Sequence, residues 1–294
     1  MEAGRRLESI DQFRGFAIIL MVAANYLAGV ESIPTWLKHA PGRFKSEGWR
    51  KMAVHFSKRG LALIGLGALI TAGENYFDIT PLPANWGVLQ AIGVATLITI
   101  LVILLPTYLR LGIGLGLLVG YQALLDRFWL QNVLNSSHGG LPGSLSWAAM
   151  LILATVLADL FHATSGPRHQ YLIGVLFTLI AGLLLAIWVP VSKNRVSASY
   201  VLVSLAASGV MFWVFHHLTN HVKVSLSWLT MWGKNPLILY ILHYLFLGVV
   251  VLPNVPGWYT QAPFWLIGLQ LIVLVVVLSV IGWFFDRKNW IFSL

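Results

Sequence analysis

The sequence predicts an all-α protein, a polytopic transmembrane helical bundle of about nine spans forming a single domain over residues 1–294. Three observations predict it. Of the 294 residues 58% are hydrophobic and only 10% charged, against roughly 25% charged in an average soluble domain, and the mean hydropathy is +0.79. The apolar residues gather in runs about as long as a bilayer crossing. Breakers and basic residues collect between the runs. So few charges do not cover the surface of a soluble protein of this size, whereas lipid requires no such cover. The 27 glycines agree, since glycine is commoner in membrane helices than in soluble ones.

The runs fall at about 10–30, 60–73, 86–105, 111–125, 146–163, 171–191, 198–219, 235–252 and 264–285. A span needs about 20 residues, with about 17 as a practical minimum, so 60–73 and 111–125 must borrow flanking residues. Between runs stand Pro81 and Pro83, Pro106, Gly139 to Gly143 with Pro142, Pro167, and Pro253 with Pro256, residues that favour turns. The first run carries Asp11, Arg14 and Asn25, unlike a cleavable leader, and is expected to be retained. Cysteine is absent, which removes disulfides, thiolate metal sites and thiol nucleophiles. The net charge of +9 would raise the question of nucleic acid in a soluble protein. Here the cations sit in short loops, where orientation toward an anionic leaflet is the plainer reading, and no nucleic-acid partner is expected.

Loop charge addresses the topology. Nine crossings with the N-terminus inside place 6 Lys and Arg inside and 13 outside, against the positive-inside rule. Inverting the protein gives 13 to 6 but exports Arg5, Arg6 and Arg14. A crossing between about Ala40 and Arg43, with the N-terminus cytoplasmic, gives 15 to 4. Only Lys38, Arg127, Lys193 and Arg195 then lie outside. No apolar residues stand there to make that crossing.

Ionisable groups inside spans cost about 2.5–3.5 kcal/mol each at mid-helix, so each asks for a reason. Asp11 and Arg14 are spaced to pair on one helix face, and Asn25 lies about 16 Å further along that face. A structural pair at a helix start explains the first two equally well. His39, in Trp36-Leu37-Lys38-His39-Ala40-Pro41, would sit at the non-cytoplasmic mouth as catalyst or bystander. Asn235 suits an N-cap and Pro236 the first helical position, which puts His243 about 12 Å into the next helix as packing residue, proton relay or site residue. His217 and His221 have metal-pair spacing without a third ligand. Together with His216 they read as solvated interfacial histidines, and no metal is expected.

Read together, Ser9-Ile10-Asp11-Gln12-Phe13-Arg14-Gly15, Leu20-Met21-Val22 with Asn25-Tyr26, Trp36-Leu37-Lys38-His39-Ala40, Trp86-Gly87-Val88-Leu89-Gln90-Ala91-Ile92-Gly93, the Gly139-to-Trp147 loop, Ser197-Ala198-Ser199-Tyr200-Val201-Leu202, and Asn235-Pro236 with His243 resemble the heparan-α-glucosaminide N-acetyltransferase-like family of the transmembrane acyltransferase superfamily, in its bacterial branch. The pieces run in family order through nearly the whole chain. The resemblance implies a multi-pass protein of the cell (inner) membrane. It would move an acetyl group from acetyl-CoA or another acyl-CoA, reached from the cytoplasm, to an amine or hydroxyl of a sugar on the other side. It implies His39 as the catalytic residue, Asn25 lining the reaction centre and His243 facing it. The residue chemistry adds Arg14 and the basic 43–59 segment as holders of coenzyme A phosphates, with Asp11 and Asn235 at the same cofactor-binding end. The implied partners are the bilayer, a coenzyme A thioester and a sugar acceptor, with a homodimer as the oligomeric option.

The chain departs from the family after Pro41. Where the relatives continue through a polar stretch into an apolar second helix, Pro41 here passes straight to Gly42-Arg43-Phe44, about 25 residues shorter, a span's worth plus its loop. This is the place where the charges asked for a crossing. A non-catalytic membrane protein of the same ancestry, a carrier or an inactive remnant, is therefore the alternative. A plain transporter finds no support in paired discontinuous helices or inverted halves.

Overall fold

The computed structural model describes residues 8–27, 49–76, 86–162, 169–222, 226–251, 257–259 and 262–291, with the side chains of 8, 20–27, 49–52 and 251 excepted. Among these the chain is helical, without strands. The apolar runs become α1 (Glu8–Leu27), α2 (Trp49–Tyr76), α3 (Val88–Val102), α4 (Thr107–Leu124), α6 (Gly140–His162), α7 (His169–Leu185), α8 (Ala198–His217), α10 (Pro236–Val251) and α11 (Phe264–Arg287), with the short α5 (Leu130–Leu134) and α9 (Ser227–Lys234) between them.

Helix length does not bear out nine spans. Among the described residues, five helical stretches are long and apolar enough to cross a membrane: Ala53–Tyr76, Thr107–Leu134, Ser137–His162, Ala198–Val222 and Phe264–Arg287. A sixth results if α9 and α10, bent by 85° at Asn235, count as one broken span. The reasons are local. α3 has 15 residues and ends at the turn before Pro106, and α7 has 17. α1 carries Ser9, Asp11, Gln12, Arg14 and Asn25 among its 20 residues. The two short runs do borrow flanks. The 60–73 run extends back to Trp49, and 111–125 continues through a π-helical turn at Leu125–Trp129 into α5. The predicted crossing at Ala40–Arg43 lies outside the described residues. That the chain is a membrane protein is plainest on α11, where Phe264 is 84% and Trp265 69% exposed and Ile272, Val276 and Val280 face outward with them. Hydrocarbon is the solvent that tolerates such a face.

The helices cluster in two units. One holds α1, the C-terminal end of α8, α9, α10 and α11. The other holds α2 to α7 and the first part of α8. In the second, α2 runs antiparallel to α3, because Gly60 lies against Gly93 and Gly67 against Gln90. A turn at 103–106 hands α3 to α4, which returns antiparallel to α6, with Arg110 opposite Asp159 and Gly114 against Leu153. α3 and α6 are therefore parallel. α7 and the start of α8 pair antiparallel, Gly182 on Val203 and Gly209 on Val175. Small residues let backbones approach where no hydrophobic force drives helices together.

Arg110 differs from its expected place as a cytoplasmic loop charge: it lies in the first turn of α4, 4% exposed. Its guanidinium pairs with Asp159 and donates to the Leu105 carbonyl (3.0 Å), Thr155 Oγ1 (2.7 Å) and Thr107 Oγ1 (3.5 Å). Thr107 in turn donates to Asp159 at 2.5 Å. Residues 139–143 also differ from a simple breaker. Gly140 starts α6, and Pro142 sits in its first turn, where a missing N–H breaks no helical bond.

Candidate functional site at the α9–α10 break

In the first unit α1 meets α9 backbone to backbone. A Cβ at Gly15 would overlap the Leu229 carbonyl, and one at Gly233 the Asp11 carbonyl. Both positions require glycine because the partner is main chain, which cannot swing aside. The contact carries Asp11 to the residue just before Lys234 and Asn235. Asp11 is 3% exposed. Arg14 lies one turn on, its NH1 3.5 Å from the Asp11 carboxylate, and its side chain is 42% exposed. Gln12, fully buried, accepts a bond from Thr219 (3.1 Å).

The break between α9 and α10 is fastened to the end of α11. Lys234 Nζ pairs with Asp286 at 2.5 Å. Asn235 Nδ2 donates to the Trp290 carbonyl at 3.0 Å, and Trp232 Nε1 to Ser279 Oγ at 3.0 Å. No Asp, Glu, Lys or Arg occurs between Lys234 and Asp286. Arg14, Lys234, Arg287 and Lys288 thus belong to one corner, where α1 and α10 begin and α9 and α11 end. Arg287 lies over the Trp283 ring at 5.2 Å.

Pro236 opens α10 as its sequence predicts, and His243 follows seven residues later, about 10 Å along the axis. It is fully buried. Its Nδ1 donates to the Tyr240 carbonyl. A carbonyl only accepts, so the neutral ring carries its proton on Nδ1 and its lone pair on Nε2. Tyr240 and Tyr244 flank the ring at 4.8 and 4.4 Å, and their hydroxyls bond each other at 3.3 Å.

Of the predicted site residues, Asp11, Arg14 and Asn235 meet at the corner and His243 lies in the helix that leaves it. Asn25 is on α1, eleven residues beyond Arg14, with its side chain outside the described residues. His39 and most of the basic 43–59 segment's first half lie outside them altogether. The described remainder of that segment is the exposed start of α2, with Lys58 and Arg59. The histidines at the end of α8 separate into two kinds. His217 and His221 are exposed and stack at 4.9 Å, with Trp213 on His217 at 5.3 Å. His216, expected to be solvated, is instead 7% exposed and meets Asn220 Nδ2 at 3.0 Å. No group of three His, Cys, Asp or Glu suited to a metal occurs among the described residues.

Two ion pairs escaped the sequence reading. Asp159 is the lone acid in its apolar run and by that signal alone asked for a buried cation. Lys234 and Asp286 are 52 residues apart, and nothing local joins them. Compared with known proteins, the chain matches no family model, and no curated protein is significantly similar to it.

Proposed function

We propose that the chain is a membrane-bound acyltransferase akin to the heparan-α-glucosaminide N-acetyltransferase-like family, moving an acetyl group from cytoplasmic acetyl-CoA to an amine or hydroxyl of an extracytoplasmic sugar. The observation that carries the reading is His243, a fully buried histidine with a fixed tautomer behind a helix break whose corner holds the described cations of its unit. Positive charge faces the cytoplasm. This corner is then the cytoplasmic end and the N-terminus is inside; the start of α1 and the end of α11 share it, which calls for an even number of crossings, met when the nine apolar runs are joined by the charge-demanded tenth.

In this reading Arg14 and Lys234 hold coenzyme A phosphates, a task suited to half-exposed cations rather than dry ones. The acceptor amine or hydroxyl attacks the thioester carbonyl and gives its proton to an imidazole, with His39 as the base and His243 facing it. Asn25 donates to the tetrahedral oxyanion. Collapse breaks the carbon–sulfur bond, and the coenzyme A thiolate takes the proton back. A carrier or remnant of the same ancestry is the second reading, favoured by the direct passage from Pro41 to Gly42.

The test is purified, nanodisc-embedded protein with labelled acetyl-CoA and amino sugars. Transfer is expected, and His39→Ala and His243→Ala each lower it about 10²–10⁴-fold, the size of a lost general base. Coenzyme A thioester binding without transfer supports the carrier; absence of binding removes the acyltransferase reading.

A further inference from the structure

The second unit holds two buried polar hydrogens that the acyl-transfer reading does not use. Ser144, in the first turns of α6, is 1% exposed, and its hydroxyl has no hydrogen-bond partner among the described residues. The indole N–H of Trp86, just before α3, is buried in the same state. Indole is a donor only, so another donor cannot satisfy it. An unpaired buried polar group costs about 1–3 kcal/mol, so each asks for a partner.

Both stand at the same end of the α3–α6 pair. α3 and α6 are parallel and packed together. Sixteen residues back from Val102, the end of α3, stands Trp86, and sixteen back from Asp159, beside the α3–α4 turn, stands Gly143. Ser144 is flanked by residues that face the adjoining loops. A Cβ on Gly143 would press on the His138 carbonyl and Val196, and Trp147 donates its Nε1 to the His138 carbonyl at 3.1 Å and meets Tyr200 at 6.0 Å. Ser144 and Trp147 are three residues apart and share a helix face.

Two helix dipoles converge on this end. The N-termini of α3, 15 residues long, and α6, 23 residues long, point here together, and each presents the positive end of its dipole. The nearby start of α8 is already capped, since Gln122 Oε1 accepts from Ala198 N and Ser197 Oγ from Tyr200 N. The α7–α8 loop is held at this end by Tyr121 OH on the Arg195 carbonyl (2.7 Å) and Ser146 Oγ on the Val196 carbonyl (2.7 Å). It brings Lys193 and Arg195. Lys193 has no counter-ion among the described residues, and burial pushes its pKa below the ordinary lysine value. Val196, buried and β-branched, is held at φ 47°, and His138 at φ 56°. Such strain persists where surrounding structure fixes it. Among the described residues the acids at this end are Glu74, on the last turn of α2, and Asp126, which accepts from Gln122, beside the cations Arg127, Lys193 and Arg195; Asp78, in the segment that joins α2 to α3, lies outside the described residues.

We propose that the joint N-terminal end of α3 and α6 is an oxyanion site, in which Trp86 Nε1–H and Ser144 O–H donate to a phosphate or carboxylate. The site is independent of the acyl-transfer reading. A free anion and a phospholipid headgroup offer the same oxygens, and the lipid composition separates them.

The experiment follows thermal unfolding of the full chain in nanodiscs. In one arm inorganic phosphate is titrated into phosphatidylcholine discs, and in the other phosphatidylglycerol replaces part of the phosphatidylcholine without added phosphate. A saturable rise of the midpoint is expected in at least one arm, and that arm identifies the source. Trp86→Phe and Ser144→Ala each remove a donor with little change in volume. Each is expected to weaken the apparent affinity about ten- to a hundredfold, the size of a lost hydrogen bond to a charged group. Should Trp86→Phe not fold, Ser144→Ala carries the comparison. No saturable rise in either arm, or a rise that both variants keep at full size, overturns the site.

Discussion

The two units handle charge in opposite ways. In the second, Arg110 and Asp159 are about 5% exposed, and the guanidinium spends its donors on one carboxylate, two threonines and a carbonyl. In the first, Lys234 and Asp286 are 32% and 37% exposed and Arg14 is 42% exposed. A dry, saturated pair is bound up in the fold, since any ligand would have to displace bonds that water cannot replace. A half-exposed cation keeps donors in water and can exchange them for a phosphate. The unit with the weaker ion pair is therefore the better candidate for binding charged substrate.

The largest effect expected from this contrast is at Asp159. Asp159→Ala leaves Arg110 buried without its counter-ion and should cost about 3–5 kcal/mol in unfolding free energy, while the double Arg110→Leu, Asp159→Leu variant should be close to neutral. A double variant as unstable as the single would break the reading of a purely electrostatic penalty. Next is the helix contact of the first unit. Gly15→Ala and Gly233→Ala each push a Cβ into a carbonyl, and detergent-resistant unfolding should report a loss of about 1–3 kcal/mol, the usual cost of overpacking. Gly65→Ala, with open space around it, should cost nothing and serves as the control. Asp286→Ala should cost less than about 1 kcal/mol, the ordinary worth of a solvated pair, yet it should alter coenzyme A thioester affinity because it frees Lys234. An unfolding cost as large as that of Asp159→Ala would abolish the contrast.

The smallest effect is at Lys193. Burial lowers its folded pKa, so between that value and the unfolded one the unfolded chain binds the extra proton, and stability rises with pH across the window. Below the folded pKa the buried ammonium is a cost. Lys193→Met should raise stability at neutral pH and flatten the alkaline rise. A rise of equal slope in the variant would assign it to another group.

Much of this was legible in the residues. Each of the nine runs became helical because apolar runs bounded by proline or glycine have no cheaper way to satisfy their backbone in lipid. Pro236 opens α10, and Asp11 pairs with Arg14 three residues away, because caps and i, i+3 pairs are local. The span count was not legible. Whether α9 and α10 form one crossing depends on the bend at Asn235, which is held by Trp290 and Asp286 from 55 and 52 residues away. Asp159 was visible as a lone acid, but its partner was misassigned to a loop, because a cation at a run's edge looks alike whether it faces water or a neighbouring helix. His216 and His217 differ in burial for the same reason: adjacent residues on a helix face different ways.

By itself the sequence determined that this is a helical membrane protein, where its helices lie, and that most of its cations gather between or at the edges of the apolar runs, because hydrophobicity and local backbone preference act over a few residues. The tertiary structure alone decided which helices are long enough to cross, which ion pairs are dry, that Gly15 and Gly233 admit a second backbone, and that Trp86 and Ser144 share one end of two parallel helices. Those are properties of contacts between segments distant in the chain, and only packing brings such segments together.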